Sequence, residues 1–225
     1  MVDRTAEEIK ANYISKMGQR LGEQYYALWQ EVALLHLNWK EYVELFGTNE
    51  KRVKRLNEAA PAFFRMIQDQ LWTVTLLHIA RLVDSPRSVG QPNLTIRNLT
   101  DLVAQELKAP LASLIDKAIA DAAFARDWRN RIIAHTDLSL ALQDGTSTPL
   151  EEASRTHVNT ALGSISNVMN AVEHHYLDSG TIYTAAARHN SAVTLMYLIG
   201  DGLKAKAERE QRVLQMLEVE PQEQI

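Results

Sequence analysis

Leu28-Trp29-Gln30-Glu31-Val32-Ala33-Leu34-Leu35-His36-Leu37-Asn38-Trp39-Lys40-Glu41-Tyr42-Val43-Glu44-Leu45-Phe46 is the stretch that decides the class of fold. Within it Leu28, Val32, Leu35, Trp39, Tyr42 and Phe46 step by three and four residues, so they line one face of a long helix. Gly47 supplies a C-terminal stop before Thr48-Asn49. Upstream, Gly18 and Gly22 are candidate breaks or bends near the start of the same helix.

The pattern continues outward from that helix. Pro61 is suited to the first turn of a fresh helix. Phe64, Ile67, Leu71, Trp72, Leu76, Ile79, Leu82 and Val83 then make that helix apolar on more than one face, as a central, buried element requires. Ser85 to Asn93, with Pro86, Gly90 and Pro92, reads as a loop. Thr95 is placed to cap a short helix with Leu99, Leu102, Val103 and Leu107 inward, and Pro110 is expected to open the next one, reaching towards Phe124. A further helical segment is expected from about Asp127 to Ala134. Thr148-Pro149-Leu150-Glu151 has the form of a capping box and predicts the start of a long helix. Its inner stripe is Val158, Leu162, Ile165, Met169, Val172 and Tyr176, and Ser179-Gly180 ends it. A last helical stretch runs from about Ala185 to Leu217, with Gly200-Asp201-Gly202 as a candidate interruption and a frayed end from Glu218 to Ile225. No segment sustains a period of two. The expected class is all-α, a bundle of long antiparallel helices with a C-terminal helical extension.

Composition narrows the function. Nine Gly and six Pro in 225 residues leave long helices unbroken. The lack of Cys excludes a disulfide scaffold, a thiolate zinc site and cysteine catalysis, and fits a cytoplasmic location. No signal-peptide pattern opens the chain, and the most apolar run, Leu71 to Leu77, is far shorter than a membrane span. A net charge of −4 argues against a general nucleic-acid coat, although it leaves room for a local Arg cluster.

Several familiar chemistries are missing from the sequence: it has no Gly-rich phosphate loop, no His-Glu-x-x-His and no Gly-x-Ser-x-Gly. Glu173-His174-His175 has the composition of a metal site, but adjacent residues do not share a helix face. A solvated helix end accounts for it and for Asp178, so no metal and no cofactor are expected. His36 and His78, inside apolar helices, read as hydrogen-bonded core histidines. The four Trp are placed for packing.

One segment differs from its surroundings: Arg126-Asp127-Trp128-Arg129-Asn130-Arg131-Ile132-Ile133-Ala134-His135-Thr136-Asp137 is polar and cationic between apolar flanks. On a helix Arg129 and His135 are less than two turns apart and are expected to face a similar direction, with Ile132 and Ile133 as core anchors. Arg grips phosphate through a fixed fork of donors, and His exchanges a proton near neutral pH. Together they suit cleavage of a phosphodiester without a metal. They equally suit a helix end where Arg and His satisfy carbonyls and carboxylates such as Asp127 and Asp137.

The string from Arg129-Asn130 to His135 resembles the signature of HEPN domains: Arg, a polar residue, and His after a gap of four to six. With Leu77-His78-Ile79-Ala80-Arg81-Leu82-Val83-Asp84 and Leu94-Thr95-Ile96, the chain resembles the abortive-infection branch of that superfamily, from about Gly22 to Gly202. The resemblance implies a single helical domain over 1–225, with its core at about 22–178 and the extension at about 185–217. It further implies a homodimer whose two motifs face across a cleft, acting as a metal-independent endoribonuclease on tRNA or mRNA in phage defence or a toxin–antitoxin pair. Arg129, Asn130 and His135 are then the catalytic candidates. Arg81, Asp84, Arg126, Arg131 and Asp137 are supporting or RNA-binding, with Arg131 and Asp137 as a candidate ion pair. The alternative is a non-catalytic module that binds RNA or a partner through the same surface.

Overall fold

A computed structural model of the chain describes residues 5–142, 148–185 and 190–218, with side chains up to 216. Ten α-helices carry the described residues, and the only strands among them are two residues each, so the all-α class holds. Two compact units divide the chain, one formed by residues 1–38 and 72–186 and the other by 39–71 and 187–225.

In the first unit, Thr5 opens α1 (Ala6–Met17) with a capping box: its hydroxyl accepts from Glu8 N at 3.2 Å and Glu8 accepts from Thr5 N at 2.8 Å. Gly18, at φ 81, ends α1, and α2 (Gln19–Tyr42) follows at once. The candidate break therefore falls at Gly18, while Gly22 serves another purpose. A Cβ on Gly22 would lie 2.6 Å from Ile14 Cα, so only Gly lets the two helices approach. The seam is aromatic, with Tyr13 against Tyr25 at 4.8 Å. Leu28, Val32 and Leu35 are fully buried along the predicted face of α2.

Pro61 opens α4 (Pro61–Leu82) as expected, and Leu76, Ile79, Ala80, Leu82 and Val83 are buried in its second half and just beyond it. The expected loop after it holds a small hairpin, β1 (Arg87–Ser88) with β2 (Gln91–Pro92). Thr95 caps the following 3₁₀ turn, Ile96–Asn98, which leads into α5 (Leu99–Leu102). α6 (Gln105–Asp121) then packs on α9 (Arg155–Leu177). Two predicted helix starts are corrected here. Pro110 lies inside α6 rather than at its start, because it stands on an exposed face in the second turn, where water can take the one carbonyl it leaves free. α9 starts at Arg155 with Ser154 as its cap, and not at the Thr148–Glu151 box, whose backbone is drawn to other side chains described below. Between α6 and α9 come α7 (Ala123–Trp128), a π-helical turn (Arg129–Ile133) and α8 (Leu138–Leu142).

His36 and His78 occupy the core as predicted, 8% and 7% exposed. His36 Nε2 meets Ser166 Oγ at 2.9 Å, and burial pushes its pKa down to about 4. Burial lowers His78 as well, outweighing Glu31, whose carboxylate lies 2.8 Å away.

The second unit joins a π-helical turn (Val43–Gly47), α3 (Glu50–Ala59), the first part of α4 and α10 (Ala192–Glu218) around Leu45, Leu56, Phe64, Ala192 and Met196. The stop at Gly47 is where the sequence places it. α10 runs through Gly200-Asp201-Gly202 without interruption. Its N-terminal Met196 and Ile199 join this core, whereas Leu195 and Leu198 remain exposed. The frayed end expected after Glu218 lies outside the described residues.

Candidate functional site

The motif segment begins on α7, which Phe124 and Ala125 bury at 4% and 0% exposure. These residues anchor it most firmly; of the two predicted isoleucine anchors, Ile133 is half-buried, while Ile132, in the π turn, is 39% exposed. The Ala134 amide donates to Arg129 O at 2.8 Å, a five-residue bond that takes up one extra residue. The turn ends at Ile133, and His135 stands just beyond it, exposed. The expectation that Arg129 and His135 share a helical direction is therefore corrected. His135 is carried past the helix end, and its ring makes no hydrogen bond or ion pair among the described residues.

Arg129 is 19% exposed and held on two sides. Nη1 donates to Asp84 Oδ2 at 2.5 Å, and Nε donates to Asn130 Oδ1 at 3.0 Å. Nη2 has no partner among the described residues. Asp84 follows the end of α4, and its other oxygen accepts from Ser85 N at 3.0 Å. Thus Asp84, which the sequence places near the motif only by resemblance, touches it directly across 45 residues of chain. Asn130 faces Arg129 rather than the imidazole. Arg81 is exposed on the last turn of α4, one turn beyond His78, whose protonation its charge opposes. Arg126 is half-buried, and its Nε has no partner among the described residues.

Arg131 points to a different task. Nη2 donates to Thr148 O at 2.6 Å and Nη1 to Pro149 O at 3.4 Å. Its carboxylate neighbours are Asp127 at 3.6 Å and Asp137 at 3.4 Å, the latter being the expected ion pair. Asp127 also accepts from Glu151 N at 3.0 Å, and Trp128 Nε1 donates to Glu151 O at 2.9 Å. Three side chains of the motif segment, Asp127, Trp128 and Arg131, therefore strap residues 148–151 in place, which explains why no helix starts there. Asp137 caps α8: the Ser139 hydroxyl, at 2.7 Å, with the Leu140 amide and Arg131, holds its carboxyl below the usual range. Three aspartates thus answer Arg129 and Arg131, so the local positive field is smaller than the arginine count suggests.

Glu173, expected on a solvated helix end, is corrected to a core residue at 6% exposure. It accepts from Tyr25 at 2.9 Å, Thr181 at 2.8 Å and Ser179 at 3.2 Å. Burial raises the pKa of Tyr25 and keeps its hydroxyl a donor. His175 lies 3.6 Å from Glu106, away from that network. Among the described residues, no three His, Asp or Glu are grouped to hold a metal ion, and no helix is long and apolar enough to cross a membrane.

No curated protein and no solved structure matches the chain. A family model described as AbiU2, of the HEPN type, matches residues 18–195 and so spans the motif, the helix that delivers Asp84 and α9. The chain belongs to the AbiU2 family of HEPN domains, the abortive-infection branch of that superfamily.

Proposed function

We propose that the protein is a metal-independent endoribonuclease of HEPN type, an abortive-infection effector or toxin that acts in the cytoplasm as a homodimer on tRNA or mRNA. The observation that carries this reading is the state of Arg129: two nitrogens are fixed by Asp84 and Asn130 while Nη2, like the exposed imidazole of nearby His135, has no partner among the described residues. A guanidinium fixed in advance is what a phosphate in transit to a phosphorane requires, since it needs no reorganisation during the reaction. The 2′-oxygen attacks phosphorus, the O2′–P bond forms and the P–O5′ bond breaks. His135 takes the proton from the 2′-hydroxyl or delivers one to the departing 5′-oxygen, and the second motif of the dimer serves the other transfer. The products are a 2′,3′-cyclic phosphate and a 5′-hydroxyl.

Exposed Ile132, Leu138 and Leu142, at 39%, 71% and 65%, flank the motif and offer an apolar rim to the second copy. An antitoxin that covers this rim or the motif would keep the activity silent. Arg126 and Arg81 are the remaining cations for RNA; Arg131 and Asp137 shape the site through residues 148–151 and α8.

One observation favours the second reading, a non-catalytic RNA- or partner-binding module: no carboxylate orients the His135 ring among the described residues. Incubation with total RNA and tRNA in excess EDTA, beside His135→Ala, separates the two. Cyclic-phosphate ends made by wild type and lost in the variant establish the nuclease. Binding without cleavage, lost in Arg129→Ala, establishes the module.

A further inference from the structure

We infer that Thr95 is a positioning residue for Arg129, acting through Asp84; the inference rests on the reading that Arg129 holds the substrate phosphate. The last carbonyls of α4 have no partner within the helix and need one from outside. Thr95 supplies it from a fully buried position, 0% exposed. Its Oγ1 lies 2.8 Å from Leu82 O and 3.0 Å from Asp84 O, sharing its one proton between them, and accepts from Arg97 N at 3.3 Å. One hydroxyl therefore ties the end of α4 to the 3₁₀ turn beyond the hairpin.

Asp84 stands where the helix has already ended, since α4 stops at Leu82. Its backbone torsions, and with them the direction of its carboxylate, are set by these contacts and by the Ser85 amide at 3.0 Å. The carboxylate in turn meets Arg129 Nη1 at 2.5 Å. The order of dependence is thus Thr95 hydroxyl, Asp84 carbonyl, Asp84 carboxylate, Arg129. Thr95 touches no substrate and is not a catalytic residue. Valine has its shape without the hydroxyl, so Thr95→Val orphans two carbonyls and frees Asp84 to turn, while the apolar packing of the site is kept. A displacement of a positioning group by about 1 Å lowers turnover by about a hundredfold.

The test has two readouts. In the first, RNA cleavage by Thr95→Val falls about a hundredfold, chiefly in kcat, and Thr95→Ser, which keeps the hydroxyl, restores it. The second needs no RNA: by ¹⁵N NMR, the Arg129 Nη1–H protons, which Asp84 accepts, exchange slowly with water in the wild type, at least tenfold faster in Thr95→Val and in Asp84→Asn, and slowly again in Thr95→Ser. Unchanged Arg129 exchange in folded Thr95→Val or in Asp84→Asn overturns the inference, whatever the RNA assay gives. If Thr95→Val does not fold, Asp84→Asn and Thr95→Ser still decide: Arg129 must be released in the first and held in the second. Failure of the nuclease reading looks different, with wild type and Arg129→Ala alike inert towards RNA while the exchange pattern stands.

Discussion

Two carboxylates of the first unit, Glu173 and Asp84, each gather hydrogen bonds from distant parts of the chain, yet to different ends. Glu173 is 6% exposed and all its donors are neutral hydroxyls, from Tyr25, Thr181 and Ser179. Asp84 leaves 24% of its side chain exposed and answers a guanidinium that is itself only partly satisfied. The first network is closed. Tyr25 ties α2 to α9 there, and Ser179 and Thr181 tie the segment after α9 to it, so the Glu173 carboxylate is spent on the protein's own hydroxyls. The second is open, because Arg129 keeps Nη2 and Asp84 sits at a helix end beside solvent. A buried polar network whose members are all satisfied specifies the fold, whereas a half-open one of charged groups is held ready for a partner.

That contrast predicts opposite outcomes for the two sites. The largest effect is on turnover: Arg129→Ala lowers RNA cleavage by about a thousandfold, about 4 kcal/mol of transition-state stabilisation. Its unfolding free energy, measured in urea, falls by no more than about 1 kcal/mol, because Asp84 reaches water when its partner is removed. Glu173→Ala does the reverse. It takes the shared acceptor from the buried Tyr25 hydroxyl and the half-buried Thr181 hydroxyl, and costs about 3 kcal/mol in the same unfolding measurement. Should Arg129→Ala destabilise as much as Glu173→Ala, the distinction between an open and a closed network is lost.

The next effect sharpens the picture of the closed core. His36 has an ordinary value of 6.5 and is pushed down to about 4 in the fold, so between those values the unfolded chain binds the extra proton. Stability is full above pH 6.5 and falls as the pH drops towards 4, by about 3 kcal/mol from this residue alone. Unfolding free energies measured from pH 7.5 to 4 follow that slope, and His36→Gln flattens it. Gly22→Ala is smaller, about 2 kcal/mol by thermal unfolding, since its methyl group meets the Ile14 backbone. Arg131→Gln is smallest, about 1 kcal/mol. Its mark is faster hydrogen exchange at the Glu151 amide, because Asp127, which accepts that amide, loses its Arg131 neighbour while Arg129 stays in place.

Much of the helical framework was legible in the sequence, as was the string that carries the family. The face of α2, the start at Pro61, the cap at Thr95, the stop at Gly47 and the burial of His36 and His78 all follow from residues within a turn or two of one another. The same local rules mislead at Pro110, Thr148 and Glu173. In each case a contact from far along the chain, or an exposed face, outweighs a local preference of about 1 kcal/mol. Thr148 and Glu151 carry a sound capping signature, but Arg131, Asp127 and Trp128 claim their backbone first.

The candidate site divides the same way. Arg129, Asn130 and His135 are adjacent enough in sequence to be read as a motif. That His135 stands beyond the helix, that Asp84 grips Arg129 and that Thr95 stands behind Asp84 were decided only by the tertiary structure. A helix is held by bonds between residues four or five apart, so its periodicity is written in the sequence. An ion pair across 45 residues depends on where two helix ends come to rest, and no spacing along the chain records that.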